Sequence, residues 1–174
     1  MGDILDRAEK DRNIIEKILH VIPGFSGYLK KEERREADKI LREGLARRLE
    51  QSRARLDDAL RELTDSGGLM HLDKIDRSKK TLEKIVARLR FAAYGYSGFF
   101  DTIKVGDEEL DRMYQFDLRL TEMIESFEEA VKNLQAAASS SDGIPAQADA
   151  AFKLLREFDE HLDGRDKIIG AREE

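Results

Sequence analysis

LREGLARRLEQSRARLDDALREL, residues 41–63, decides the fold. Leu41, Leu45, Leu49, Ser52, Leu56, Ala59 and Leu63 step by four and three, which brings them to one side of a single long helix. The residues between them are mostly charged, so the opposite side belongs in water. Glu43 with Arg47, and Asp57 with Arg61, stand one turn apart and predict surface ion pairs. Gly44 interrupts the run, either weakening it by up to ~1 kcal/mol or letting a neighbouring helix approach closely. The spacing predicts a helix from Leu29 to Leu63, ended by Asp65-Ser66-Gly67-Gly68.

Similar patterns continue outward. Before this helix, a first amphipathic segment from Asp3 to Val21 carries Ile4, Leu5, Ala8, Ile15, Ile18 and Leu19, and Ile22-Pro23-Gly24 stops it. After it, a third helix uses Leu72, Ile75, Leu82, Ile85, Val86, Leu89 and Ala93. It gives way to Tyr94-Gly95-Tyr96-Ser97-Gly98-Phe99-Phe100. A fourth begins at Gly106-Asp107-Glu108-Glu109, with Asp107 as expected N-cap and acids in the positive first turn. Its apolar positions are Leu110, Met113, Phe116, Leu120, Ile124, Phe127, Val131 and Leu134. Ser139 to Gly143 reads as a linker, and Pro145 opens a shorter fifth helix through Leu155, Phe158 and Leu162, followed by a frayed tail.

Short turns between long helices make neighbours antiparallel, so the expected fold is all-α: an elongated up-down antiparallel bundle of four to five helices. The whole chain, 1–174, reads as one domain, with an N-terminal helix over 1–21, a bundle core over 22–137 and a C-terminal helix over 145–162. At 1.5 Å per residue the second helix reaches ~50 Å and the third ~35 Å. The connection over 95–106 therefore climbs beside the second helix's start, between Tyr28 and Arg42.

Composition narrows the chemistry. Charged residues make up 39% of the 174 residues, and 31 Lys and Arg stand against 37 Asp and Glu. The formal net charge of -6 speaks against general nucleic-acid binding, which needs positive surface. There is no cysteine, which removes disulfides, thiolate catalysis and thiolate metal sites. The chain opens Met1-Gly2-Asp3 with no signal-peptide core after it, and no apolar run approaches the ~20 residues of a membrane span. A cytoplasmic protein is expected.

Glu-x-x-His pairs, the signature of a carboxylate-bridged di-iron bundle, are absent, since Lys17, Gly68 and Phe158 precede the three histidines at that spacing. No metal and no cofactor is expected. Acidic pairs on one helix face, Glu33 with Glu36, Glu122 with Glu125 and Glu128, and Glu157 with Glu160 and Asp163, leave a metal-dependent nucleotide or phosphoester hydrolase as an alternative.

One region stands out. Gly24-Phe25-Ser26-Gly27-Tyr28 and Gly95-Tyr96-Ser97-Gly98-Phe99 share the pattern Gly-aromatic-Ser-Gly-aromatic, and the hairpin of the second and third helices brings them to one pole. Beside them come Arg34, Arg35, Asp38, Lys39 and Arg42, then Asp101 and Lys104 on the connection, and Tyr114 and Asp117 at the start of the fourth helix. Asp117 flanks the apolar stripe, where a charge needs a partner, and the neighbouring arginines are the natural candidates. The pole is therefore either a structural plug or a binding site. In the second case Tyr28, Arg34, Arg35, Asp38, Arg42, Tyr94, Tyr96, Asp101, Tyr114 and Asp117 are the residues that line it, for an anionic ligand or a partner's peptide.

The same two blocks carry a resemblance. Ile22-Pro23-Gly24, Gly27-Tyr28, Lys31-Glu32, Arg34-Arg35, Ala37-Asp38-Lys39 and Leu41-Arg42, followed by Tyr94-Gly95-Tyr96, Gly98, Phe100-Asp101, Lys104-Val105, Leu110-Asp111, Tyr114 and Phe116-Asp117, resemble an uncharacterised prokaryotic family of helical proteins. The resemblance spans residues 20 to 134 and implies no particular activity. With no nucleophile–base–stabiliser set in view, the expected role is a non-catalytic protein-interaction or scaffold module, with a protein partner or self-association through the second helix's seam. Peripheral membrane attachment through the aromatic loops is a further alternative.

Overall fold

A computed structural model describes residues 2–92, 100 and 105–170, with side chains from 5 to 92, at 100, and from 105 to 169. Among these residues the chain forms five α-helices: α1 Gly2–Val21, α2 Arg34–Asp65, α3 Leu72–Phe91, α4 Asp107–Ser140 and α5 Ile144–Gly170. Single 3-10 turns at Lys31–Glu33 and Leu69–His71 lead into α2 and α3. The fold is the expected all-helical up-down bundle.

Helices α2, α3, α5 and α4 form a ring in that order, and α1 lies outside it against α4. The cross-links show the directions. Arg48 meets Glu128 and Ser139 meets Glu62, so α2 and α4 run the same way. Lys84 meets Asp159 and Lys74 meets Asp149, so α3 and α5 also run together. Two antiparallel hairpins, α2–α3 and α4–α5, thus stand side by side, and α3 and α4 occupy opposite corners.

Each helix buries a heptad row, as close-packed seams require. In α2 the row is Leu45, Leu49, Ser52, Leu56, Ala59 and Leu63; in α4 it runs from Leu120 through Ile124, Phe127, Val131 and Leu134 to Ala138. Self-association through the α2 seam is incompatible with this fold, because the row is spent on the core.

Several expectations need correction. Helix α2 begins at Arg34 rather than Leu29, since the backbone at Lys30 is extended and Arg34 Nε donates to the Tyr28 carbonyl at 2.7 Å, drawing the chain inward. Gly106, not Asp107, is the N-cap of α4. The linker is shorter than Ser139 to Gly143: Ser139 and Ser140 close α4, where Ala137 and Ala138 still face the core, and only 141–143 connect it to α5. Asp57 pairs across to Lys79 of α3, while Arg61 turns to Asp58. On α1 the buried row is Asp11, Ile14, Ile18 and Val21, whereas Leu5, Ala8 and Leu19 face outward. Most consequential, α5 does not fray after Leu162 but continues for two turns to Gly170.

Gly44 has the close-approach role. A Cβ there would lie 2.5 Å from Ile22 Cγ2, so the glycine lets the end of α1 settle onto α2. Arg48 secures the same junction by donating to the Val21 carbonyl at 3.3 Å.

Candidate functional site

The pole where α2 and α4 begin and α3 and α5 end holds a layer of charge in the middle of the core. It arises from the heptad rows themselves. Extending the α2 row backward from Leu45 by three and four reaches Arg42 and Asp38. Extending the α4 row from Leu120 reaches Asp117. In α5 the row Ile144, Ala148, Ala151, Leu155, Phe158, Leu162 continues to Arg165 and Ile169. The sequence therefore aims four charged side chains at the bundle axis, and they are 0–4% exposed.

Burial of this kind costs several kcal/mol per ion unless each charge is matched and its hydrogen-bonding capacity is filled. The geometry pairs each of these charges. Arg165 Nε donates to Asp117 Oδ1 at 2.7 Å, and one of its terminal nitrogens donates to Asp38 Oδ1 at 2.7 Å. Arg42 Nε donates to Asp38 Oδ2 at 2.8 Å, and a terminal nitrogen donates to the Leu89 carbonyl at 2.8 Å, satisfying an acceptor in the last turn of α3. Two cations and two carboxylates drawn from three helices sum to zero.

Tyrosines close the layer on the loop side. The Tyr28 hydroxyl donates to Asp117 Oδ2 and lies 3.4 Å from Arg165. The Tyr28 backbone N–H donates to the Tyr114 hydroxyl at 2.5 Å. Phe25 meets Tyr28 edge-on at 5.6 Å between ring centres, and Phe100 stacks on Tyr28 at 5.8 Å. Gly27, with φ +81, is required here: a Cβ would meet Ile15 at 2.6 Å and the Tyr114 hydroxyl at 2.7 Å. Burial pushes the Tyr114 hydroxyl up to about 12 and the Tyr28 hydroxyl well above its ordinary value. Burial also raises the Asp117 carboxyl, with the Arg165 charge acting in the opposite sense.

Of the residues expected to share this pole, Tyr28, Asp38, Arg42, Tyr114 and Asp117 come together. Arg34 is half-buried and holds the Tyr28 carbonyl. Arg35 lies on the exposed side of α2 and does not enter the layer. Tyr94, Tyr96 and Asp101 lie outside the described residues. The ion partner of Asp117 is none of the arginines expected beside it at the pole, Arg34, Arg35 and Arg42, but Arg165 of α5. The signal for it was the heptad step from Leu162 to Arg165 to Ile169.

The acidic pairs elsewhere mostly hold cations of the chain. Glu128 takes both arms of Arg48, at 2.7 and 2.5 Å. Arg88 reaches Asp159, Asp163 and Asp166 at 2.5–2.8 Å, binding three successive turns of α5. Glu33 pairs with Lys30, Glu122 with Arg119, Glu157 with Lys153 and Glu160 with Arg156. Among the described residues no three His, Asp or Glu side chains converge as a metal site would need. None of the described helices is long and apolar enough to cross a membrane.

No family model matches the chain, and no solved structure does. It is similar to cingulin-like protein 1 of Mus musculus, 43% identical over 63 residues, which is 34% of this chain and 5% of the mouse protein. The chain thus matches a small fraction of that relative's length.

Proposed function

We propose that the chain is a non-catalytic protein-interaction module: a rigid helical body that presents outer surfaces to a protein partner. The observation that carries this reading is the closed charge layer. The groups with most chemical potential, Arg165, Asp117, Asp38, Arg42 and Tyr28, neutralise one another inside the core and turn no face to solvent. An enzyme site needs such groups at a cavity wall. What the surface offers instead is apolar side chains: Leu5 and Leu19 on α1, and Leu69 and Met70 at the α2–α3 turn.

Two measurements test the reading. A photo-reactive residue placed at position 19 or 70 in cells is expected to give discrete protein adducts. Adducts no more frequent than at an exposed polar position such as Lys132 would overturn the proposal. In parallel, melting with Mg²⁺ or Mn²⁺ and nucleoside triphosphates is expected to leave the midpoint unchanged. A ligand at about a hundred times its Kd adds ~2.7 kcal/mol, so a metal-dependent rise with phosphate release would favour the hydrolase alternative.

A further inference from the structure

The buried face of α1 is the row Asp11, Ile14, Ile18, Val21. About a third of a turn away runs a second row with the same spacing: Leu5, Ala8, Arg12, Ile15, Leu19. Ile15 is half-buried, but Leu5 is 67% and Leu19 42% exposed, and Ala8 and Arg12 are exposed as well. Isolated surface leucines need no explanation, whereas a heptad row on a helix already docked by its other side is a pattern of a helix that packs twice.

The occupant follows from the symmetry of that row. Arg12 is its midpoint, with Leu5 seven residues before it and Leu19 seven after. An identical helix laid antiparallel about Arg12 sets Leu5 against Leu19 of the other copy at both ends, ~10 Å on either side of the centre, and brings Ala8 within one residue's rise of Ile15. The charges fit the same centre. Glu9 and Glu16 flank Arg12 by one turn each way, and Arg12 leans to Glu16 within its own helix at 3.9 Å. In the antiparallel pair each Arg12 also comes beside the other copy's Glu9 and Glu16, so two guanidiniums at the centre stand among four carboxylates. Opposed macrodipoles favour this direction over a parallel pair.

We propose that two copies of this chain associate through α1, antiparallel about Arg12. The proposal deepens the interaction-module reading and rests on it, naming the partner as a second copy. One 20-residue helix against another buries on the order of 1,000 Å² in total, at the low end for specific interfaces, so the dimer is reversible.

Sedimentation equilibrium of the full chain tests it. The weight-average mass is expected to rise with concentration from 19.9 kDa toward twice that value. The Leu5→Glu, Leu19→Glu double variant is expected to stay at the monomer mass with unchanged helicity and melting, because the docked face of α1 is untouched. Charge reversal tests the centre: Arg12→Glu alone and Glu9→Arg, Glu16→Arg alone each stay monomeric, while an equimolar mixture of the two associates. A wild-type mass that stays at the monomer value, a dimer indifferent to the leucine changes, or a mixture no tighter than its components would each overturn the proposal. A monomeric chain that still gives adducts to another protein from position 19 would overturn self-pairing and leave the interaction-module reading standing. A monomer with no adducts would remove both.

Discussion

Replacing Arg165 by Met removes the guanidinium that links α5 to α2 and α4 while keeping an unbranched chain of similar length. Asp38 retains Arg42 at 2.8 Å, but Asp117 keeps only the Tyr28 hydroxyl among the bonds described for it. The layer passes from neutral to one net negative charge, sealed at 0% exposure. Breaking one partner of a buried pair costs ~3–5 kcal/mol. For a chain of this size each kcal/mol lowers the melting midpoint by about 2–4 °C, so a fall of about 6–20 °C is expected. Urea titration followed by far-UV circular dichroism measures the free energy directly.

The same variant has a signed pH dependence. With its cation gone, the Asp117 carboxyl in the folded chain titrates above its value in the unfolded chain, so the folded state binds the proton more tightly. Its destabilisation is present above the folded-state value and is relieved as pH falls through it. Adding Asp117→Leu restores a neutral layer, and the double variant is expected to be more stable than Arg165→Met alone. An Arg165→Met loss within about 1 kcal/mol, the scale of a surface ion pair, would refute the claim that this charge is locked in the core.

Other parts of the molecule give independent tests. Gly44→Ala gains up to ~1 kcal/mol of helix propensity but forces Ile22 to move, at ~1–3 kcal/mol, so a net loss is expected. That loss should shrink in an Ile22→Ala background, as denaturant titration of the cycle would show. His161 lies tilted against Phe116 with ring centres 4.6 Å apart, and its Nε2 lies 3.3 Å from the Phe116 carbonyl, where the N–H tautomer donates; burial holds its pKa below the ordinary value. A base depressed in the folded state contributes stability that is complete above its unfolded value of about 6.5 and is lost as pH falls through the folded one. Melting midpoints of His161→Gln should therefore depend less on pH below that value than those of the unaltered chain.

The fold was legible because heptad rows in α2, α3 and α4 are long and apolar enough to mark themselves. The site was half legible. Asp117 stands out beside an apolar stripe, and Tyr28 beside glycines, so their convergence could be read from residue types alone. Arg165 could not be read that way, since an arginine after Leu162 looks like the end of an apolar row. Its burial depends on carboxylates that two other helices bring to the same height, which is a tertiary fact. The buried face of α1 is legible only at Ile18: Ile14 and Val21 share its row with the charged Asp11, whereas the outward row carries the apolar Leu5, Ala8 and Leu19.

Rows of Leu, Ile and Ala accept a neighbour at several registers, and sliding α5 by one heptad, ~10 Å, would bring leucine and alanine positions together again. Such a slide would take Arg165 away from Asp38 and Asp117, leaving Arg165 and Asp117 without each other while Asp38 keeps Arg42, at several kcal/mol. The layer is therefore expected to act mainly against wrong registers rather than for stability. Replacing it wholesale (Asp38→Leu, Arg42→Met, Asp117→Leu, Arg165→Met) should leave the melting midpoint equal or higher, since buried ion pairs often exchange for apolar groups at no loss or with a gain of ~1–4 kcal/mol. The amide NMR spectrum should then broaden or double as α5 samples more than one register. If the quadruple variant instead keeps a single, well-dispersed set of resonances, the register is set elsewhere. The Arg88 clamp on Asp159, Asp163 and Asp166 would then be the feature that fixes α5 against α3.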